Sequence, residues 1–126
     1  MRILIVEDSP LVQEMYRQVF SRRSHELTAA GDGRTALIEL AVSGHPYDLI
    51  LLDPRLPDMD GVEFIRAVRG NSVLGRTPIV LTTAEPGESD LMHQAHALGV
   101  AAIVSKPWKP QALRAVIYSI LHKPVG

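Results

Sequence analysis

The chain has 126 residues, 46% of them apolar and 21% charged, a length and balance that suit one domain with a single hydrophobic core. A net charge of −1 and a pI near 6.5 supply no basic field for nucleic acid or an anionic membrane, so neither is expected as a direct partner. With no cysteine, disulfides, thiol catalysis and thiolate metal sites are excluded, and no run approaches the ~18 apolar residues of a membrane span.

The first apolar run, Ile3 to Val6, is too short for a signal-peptide core and is followed at once by Glu7 and Asp8, so a cytoplasmic location is expected. It reads as a strand. Ser9 is placed to cap a helix and Pro10 to take its first position, with Leu11, Met15 and Val19 recurring at i+4 as the inward stripe. A more polar run, Glu26 to Ala30, reads as an edge strand. The segment Gly31 to Ala36 after it fits G-x-G-x-x-A at a strand–helix junction. Because it follows the second strand and not the first, it is read as a turn rather than a dinucleotide site. A helix over about 33–43 has Ala36, Leu37, Leu40 and Ala41 as its stripe.

Leu49 to Leu52 forms a third strand and delivers Asp53 into a Pro/Gly-rich loop ending at Gly61; Val62, Ile65, Ala67 and Val68 then mark a third helix. The fourth strand, Ile79 to Thr82, leads to Thr83 and Ala84. The helix after it, about 87–98, is the weakest, with Leu91, Met92, Ala95 and Leu98 inward and Pro86-Gly87 loosening its start. His93 and His96, spaced i, i+3 with no third ligand in view, read as a solvated pair. Ala101 to Val104 is the fifth strand and precedes Lys106 and Pro107. A last helix over about 108–122 turns Leu113, Val116, Ile117, Ile120 and Leu121 inward, with Trp108 and Tyr118 as packing residues. Residues 1–122 thus read as one domain and 123–126 as a tail or the start of a linker.

Four of the five strands are continuously apolar, the pattern of strands buried on both faces of a parallel sheet. Regular β–α alternation then predicts an α/β fold of the flavodoxin-like (βα)5 type, a doubly wound parallel sheet with strand order 2-1-3-4-5. Ligands bind such sheets beyond the carboxyl ends of the strands, at the switch point between strands 1 and 3. Reading off the strand ends places Glu7, Asp8, Asp53, Thr83 and Lys106 on that edge. Clustered carboxylates raise one another's pKa unless a cation neutralises them, and oxygen ligands without thiolate select a hard ion such as Mg²⁺. An ammonium and a hydroxyl beside that ion suit the oxygens of a phosphoryl group, and a carboxylate nucleophile would form an aspartyl phosphate.

Jointly and in this order, these motifs resemble the receiver domain of two-component response regulators, the family that includes single-domain chemotaxis-type regulators. The resemblance covers the whole chain: Glu7-Asp8 matches the acidic pair, Asp53 the phosphoacceptor, Thr83-Ala84 the hydroxyl residue with its small neighbour, and Lys106-Pro107 the lysine with its cis proline. It implies that Asp53 takes a phosphoryl group from a histidine kinase, a histidine phosphotransfer protein or a small acyl phosphate. It implies Mg²⁺ held by Asp8, Asp53 and the backbone carbonyl of Arg55, with Glu7 reaching the ion through water. Thr83, Ala84 and Lys106 would meet the phosphoryl oxygens. The output would be a changed affinity for a downstream protein or domain, with a weak dimer through helix 4, strand 5 and helix 5 as a further possibility. In this reading the chain is a signalling module, not an enzyme beyond its own phosphorylation and dephosphorylation.

Two features depart from the family pattern. Counting back from Lys106, Ile103 stands at the position of the switch aromatic, and a branched aliphatic has no ring to swing, so a weaker or different output is expected on that face. Arg55 and Glu85, two residues beyond Asp53 and Thr83, flank the implied water path to the acyl phosphate, where pairing would slow hydrolysis. Taken singly, each residue also has a plainer role: Asp53 or Glu7-Asp8 as helix caps, Lys106 as a surface lysine, Thr83 as a strand-end hydroxyl. Competing functions are an aspartate-nucleophile phosphatase, a flavin carrier and a receiver kept only for docking. The phosphatase would carry a second Asp where Arg55 stands, and the acidic loop Glu7 to Pro10 is wrong for a flavin phosphate.

Overall fold

The computed structural model describes residues 1–84 and 89–122. Strands β1 (Arg2–Val6), β2 (Glu26–Ala30), β3 (Leu49–Leu52), β4 (Ile79–Thr83) and β5 (Ala102–Ser105) alternate with helices α1 (Pro10–Val19), α2 (Gly33–Val42), α3 (Gly61–Arg69), α4 (Asp90–Ala97) and α5 (Pro110–Leu121). All strand pairs are parallel and their order is β2-β1-β3-β4-β5, as the alternation and the apolar runs predict.

The continuous apolar runs divide between two cores because successive strand side chains point to opposite faces. Leu4, Val6, Ile50, Leu52, Ile79 and Leu81 join Ala36 and Leu40 of α2, Phe64, Ile65 and Val68 of α3, and Met92 and Ala95 of α4. On the other face, Ile3, Ile5, Leu49, Leu51 and Val80 join Tyr16 and Val19 of α1 and Leu113 and Ile117 of α5. Fully burying each such aliphatic side chain is worth about 1.5–3 kcal/mol, so the three central strands anchor both layers. β2 and β5 are the two edges and the least buried strands.

The helix starts follow the capping residues. Ser9 Oγ accepts from Val12 N at 3.3 Å with Pro10 at the first position, Asp60 Oδ1 accepts from Glu63 N at 2.8 Å, and Ser89 Oγ from Met92 N at 3.2 Å. α2 is held twice: Asp32 Oδ1 takes Thr35 N at 2.7 Å, while Asp58, from the loop after β3, takes Gly33 N at 2.8 Å and Arg34 N at 2.9 Å. Those amides, chiefly Arg34 N and then Gly33 N, hold the Asp58 carboxyl below its usual range. The helix end that a dinucleotide phosphate would use is therefore filled by the chain's own carboxylate, and the Gly31–Ala36 motif is a turn.

Several helix faces differ from the sequence reading. In α1 the buried residues are Tyr16 and Val19, while Leu11 is 73% exposed and Met15 37% exposed. The inward face is set by Tyr16, whose ring stacks on Trp108 and whose hydroxyl finds a buried partner, and this rotates Leu11 outward. Ala41 and Ala67 are exposed, and Phe64, absent from the expected stripe, is fully buried in α3. α5 begins at Pro110, not at 108, because Trp108 is buried in the preceding turn; Tyr118 is exposed rather than packed. β5 lies one residue later than read, and α4 starts at Asp90, with Pro86 and Gly87 outside the described residues.

Candidate active site

Four of the five strands end in or lead into a residue the sequence singles out. β1 leads into Glu7 and Asp8, β3 into Asp53 and β5 into Lys106, while Thr83 closes β4. Backbone bonds lock these ends together: Asp53 N donates to Val6 O at 3.0 Å, Glu7 N to Ala30 O at 3.0 Å, and Lys106 N to Thr83 O at 2.8 Å.

Glu7, Asp8 and Asp53 each present a carboxylate oxygen within 4.8 Å of the others. Glu7 is buried, Asp53 half-buried and Asp8 exposed. Lys106 Nζ lies 2.9 Å from Glu7 Oε2 and 2.9 Å from Asp53 Oδ2, so one ammonium bridges two carboxylates from the far side of the sheet. Burial raises the pKa of Glu7 against the hydrogen bonds from Lys106 and Ser9 N and the charge of Lys106, with the Asp53 charge adding to the rise. Burial works against the Lys106 ammonium too, but the hydrogen bonds and charges of Asp53 and Glu7 outweigh it and leave its pKa raised.

The loops are built to hold these groups still. Asp53 Oδ1 accepts from Arg55 N at 2.8 Å, and Arg55 and Asp60 form an isolated antiparallel bridge that closes the loop. Gly61 packs so tightly on Pro54 that an added Cβ would sit 2.8 Å from Pro54 Cα, and Gly61 N donates to Pro54 O at 2.9 Å. On the β1 side, Ser9 N reaches Glu7 Oε1 at 3.1 Å and Gln13 Nε2 reaches Glu7 O at 2.6 Å. Glu7 is thereby bound to the start of α1.

The structure brings together Glu7, Asp8, Asp53 and Lys106, with Thr83 buried beside them at the end of β4. Ala84 is exposed and lines an apolar groove with Val12, Met15, Lys106, Pro107 and Trp108. Ile103 is half-buried in β5 against the α2–α3–α4 core. Arg55 is exposed at the loop mouth, and Glu85 lies outside the described residues. Lys106–Pro107 is a cis peptide, as the resemblance implies. Sequence reasoning missed the Tyr16–Thr82 hydrogen bond behind the site; a threonine inside an otherwise apolar parallel strand was the available signal.

A family model described as the response regulator receiver domain matches residues 3–118. The chain is 30% identical to chemotaxis protein CheY of Pseudomonas aeruginosa over 126 residues, covering 100% of both chains. It is 35% identical over 121 residues to regulatory protein AtoC of Escherichia coli, an alignment that takes in 96% of this chain but only 25% of that protein. Among solved structures, the receiver domain of a sensor histidine kinase from Pseudomonas aeruginosa, with a magnesium ion coordinated in its active site cleft, superposes with a TM-score of 0.84. It is 28% identical, over 97% of this chain and 98% of that one.

Proposed function

Because the chain belongs to the response regulator receiver domain family of two-component signalling, we propose that Asp53 is its phosphoacceptor and that phosphorylation changes its affinity for a downstream partner. The observation that carries this reading is the bridge of Lys106 Nζ to Asp53 Oδ2 at 2.9 Å, inside a cluster of three carboxylates at the carboxyl edge of the sheet. A carboxylate at a strand end, held by a loop amide and faced by an ammonium, is placed to act as a nucleophile.

The donor is a phosphohistidine on a histidine kinase or phosphotransfer protein, or a small acyl phosphate. Asp53 Oδ attacks phosphorus in line. A P–O bond to Asp53 forms as the P–N bond to the imidazole, or the P–O bond of the acyl phosphate, breaks, and the electron pair leaves with the donor. Lys106 turns from its carboxylates to the phosphoryl oxygens, Thr83 supplies a hydroxyl, and the small Ala84 leaves room for the group. The donor set fits a hard divalent cation: Asp8 and Asp53 offer carboxylate oxygens beside that of Glu7, the Arg55 carbonyl completes the proposed direct set for Mg²⁺, and Glu7 would reach the ion through water. When bound, that ion supplies charge neutralisation for the transferring group.

Incubation with acetyl phosphate and Mg²⁺ tests the reading. The chain should gain the mass of one phosphoryl group and Asp53→Asn should gain none; equal labelling of both would contradict it. Two finer proposals accompany it. Residues 1–122 act as the receiver unit of a cytoplasmic signalling protein, with α4, β5 and α5 as the output and weak dimer face. Arg55 at the loop mouth, with Glu85, slows hydrolysis of the acyl phosphate; an unchanged lifetime in an Arg55→Ala, Glu85→Ala variant would contradict this.

A further inference from the structure

Behind the carboxylate cluster, α1 sends one aromatic side chain across to the two strands that carry the phosphoryl-facing groups. Tyr16 is 1% exposed; its ring stacks on Trp108 with centroids 5.0 Å apart and planes at 23°, and its hydroxyl is 2.7 Å from Thr82 Oγ1. Thr82 immediately precedes Thr83, and Trp108 stands two residues after Lys106. Lys106 N donates to Thr83 O, so these two arms already form one backbone unit. The same helix holds Glu7 at its start through Ser9 N and Gln13 Nε2. α1 therefore fixes Glu7 at one end and, about two turns on, the hydroxyl and lysine arms.

The bland account is that Tyr16 and Thr82 merely satisfy each other in the core. That account explains the hydrogen bond but is indifferent to which residues flank Thr82 and Trp108. An apolar pair would fill the same volume without leaving a buried hydroxyl in need of a partner. What the bond adds is direction, because it sets the height of β4 relative to α1 at the residue before Thr83.

We infer that Tyr16 is a positioning residue for phosphoryl transfer to Asp53, acting through its bond to Thr82 and its stack on Trp108 to hold Thr83 and Lys106 in register with the acids. This rests on the phosphoacceptor reading above. Small displacements of positioning groups cost far more in rate than in binding. The phenol, kept protonated by its burial, acts only as a strut.

The test is the initial rate of phosphorylation at saturating Mg²⁺ over a series of acetyl phosphate concentrations, with melting temperatures measured in parallel. Tyr16→Phe should lower the limiting rate about five- to tenfold while the half-saturating donor concentration stays within about twofold. The double variant Tyr16→Phe, Thr82→Val removes the orphaned hydroxyl; it should regain the parent's melting temperature but not its rate. Thr82→Ser keeps the hydroxyl and should keep the rate. The inference is overturned if the double variant transfers within about twofold of the parent, or if Thr82→Ser falls as far as Tyr16→Phe. A parent chain that takes up no phosphoryl group removes the functional reading itself, and this inference with it.

Discussion

Taking the ammonium of Lys106 away would remove the cation that bridges Glu7 and Asp53. Their side chains are 3% and 14% exposed and that of Lys106 is 20% exposed, so water screens them only in part. Breaking a buried pair costs about 3–5 kcal/mol, and partial exposure brings the expected loss for Lys106→Met to about 2–3 kcal/mol. Mg²⁺ should return much of it, so denaturant melts of the variant should gain more from the ion than those of the parent. A variant indifferent to Mg²⁺ would contradict the assignment of the acids. Tyr16 gives a second prediction. Burial foremost, against its bond to Thr82, pushes the phenol up to about 12 from an ordinary value near 10.0. Between those values the folded chain holds a proton that the unfolded chain has released. Stability is therefore level below pH ~10 and falls by about 2–3 kcal/mol as the pH rises to ~12. Lys106, also raised, contributes stability that is fully present below its unfolded pKa of ~10.4 and lost as the pH rises through its higher folded value. The difference between the parent and Tyr16→Phe isolates the phenol. Equal alkaline slopes in the two would refute it.

Among the elements, α3 is fastened at its end by Arg69, half-buried, whose guanidinium serves four carbonyls. Nε donates to Leu98 O at 3.1 Å, one terminal nitrogen to Thr77 O at 2.8 Å and Gly75 O at 3.2 Å, and the other to Gly99 O at 3.1 Å. Its burial lowers the guanidinium pKa, so those bonds are bought with desolvation, and Arg69→Ala should still cost about 2–3 kcal/mol because carbonyls on both loops lose a charged donor. Chemical denaturation measures this; a change under about 0.5 kcal/mol would show the bonds are dispensable. β5 carries Ile103, whose branched side chain rests against the α2–α3–α4 core. With no ring to turn inward, amide exchange in α4 and β5 should change little when beryllofluoride occupies the site, and a large rearrangement there would contradict that. The elements also show where sequence periodicity stops. Ser9 and Pro10 marked the start of α1 correctly because capping is local chemistry. Of its expected stripe Val19 is buried, but Leu11 and Met15 turn outward because Tyr16 is drawn in by Trp108 and Thr82, which are distant in sequence.

For the whole molecule, strand order and site followed from one physical fact. Both sheet faces are covered, so Ile3–Val6, Leu49–Leu52 and Ile79–Leu81 are apolar throughout, and the charged groups appear where the strands end. Glu7, Asp53 and Lys106 were legible for that reason, and a parallel sheet places all strand ends of one kind on one edge. The contacts made there were not legible: that Lys106 bridges Glu7 as well as Asp53 depends on side-chain reach across three strands. Among the described residues no helix is long and apolar enough to cross a membrane. The claim that most needs testing is that Asp53, and not a neighbouring carboxylate, carries the phosphoryl group. Reduction of the phosphorylated chain with borohydride converts an acyl phosphate to the corresponding alcohol, and peptide mass mapping locates it. Homoserine at position 53 alone is the predicted result; a reduced residue at Glu7 or Asp8, or none at all, would contradict the account.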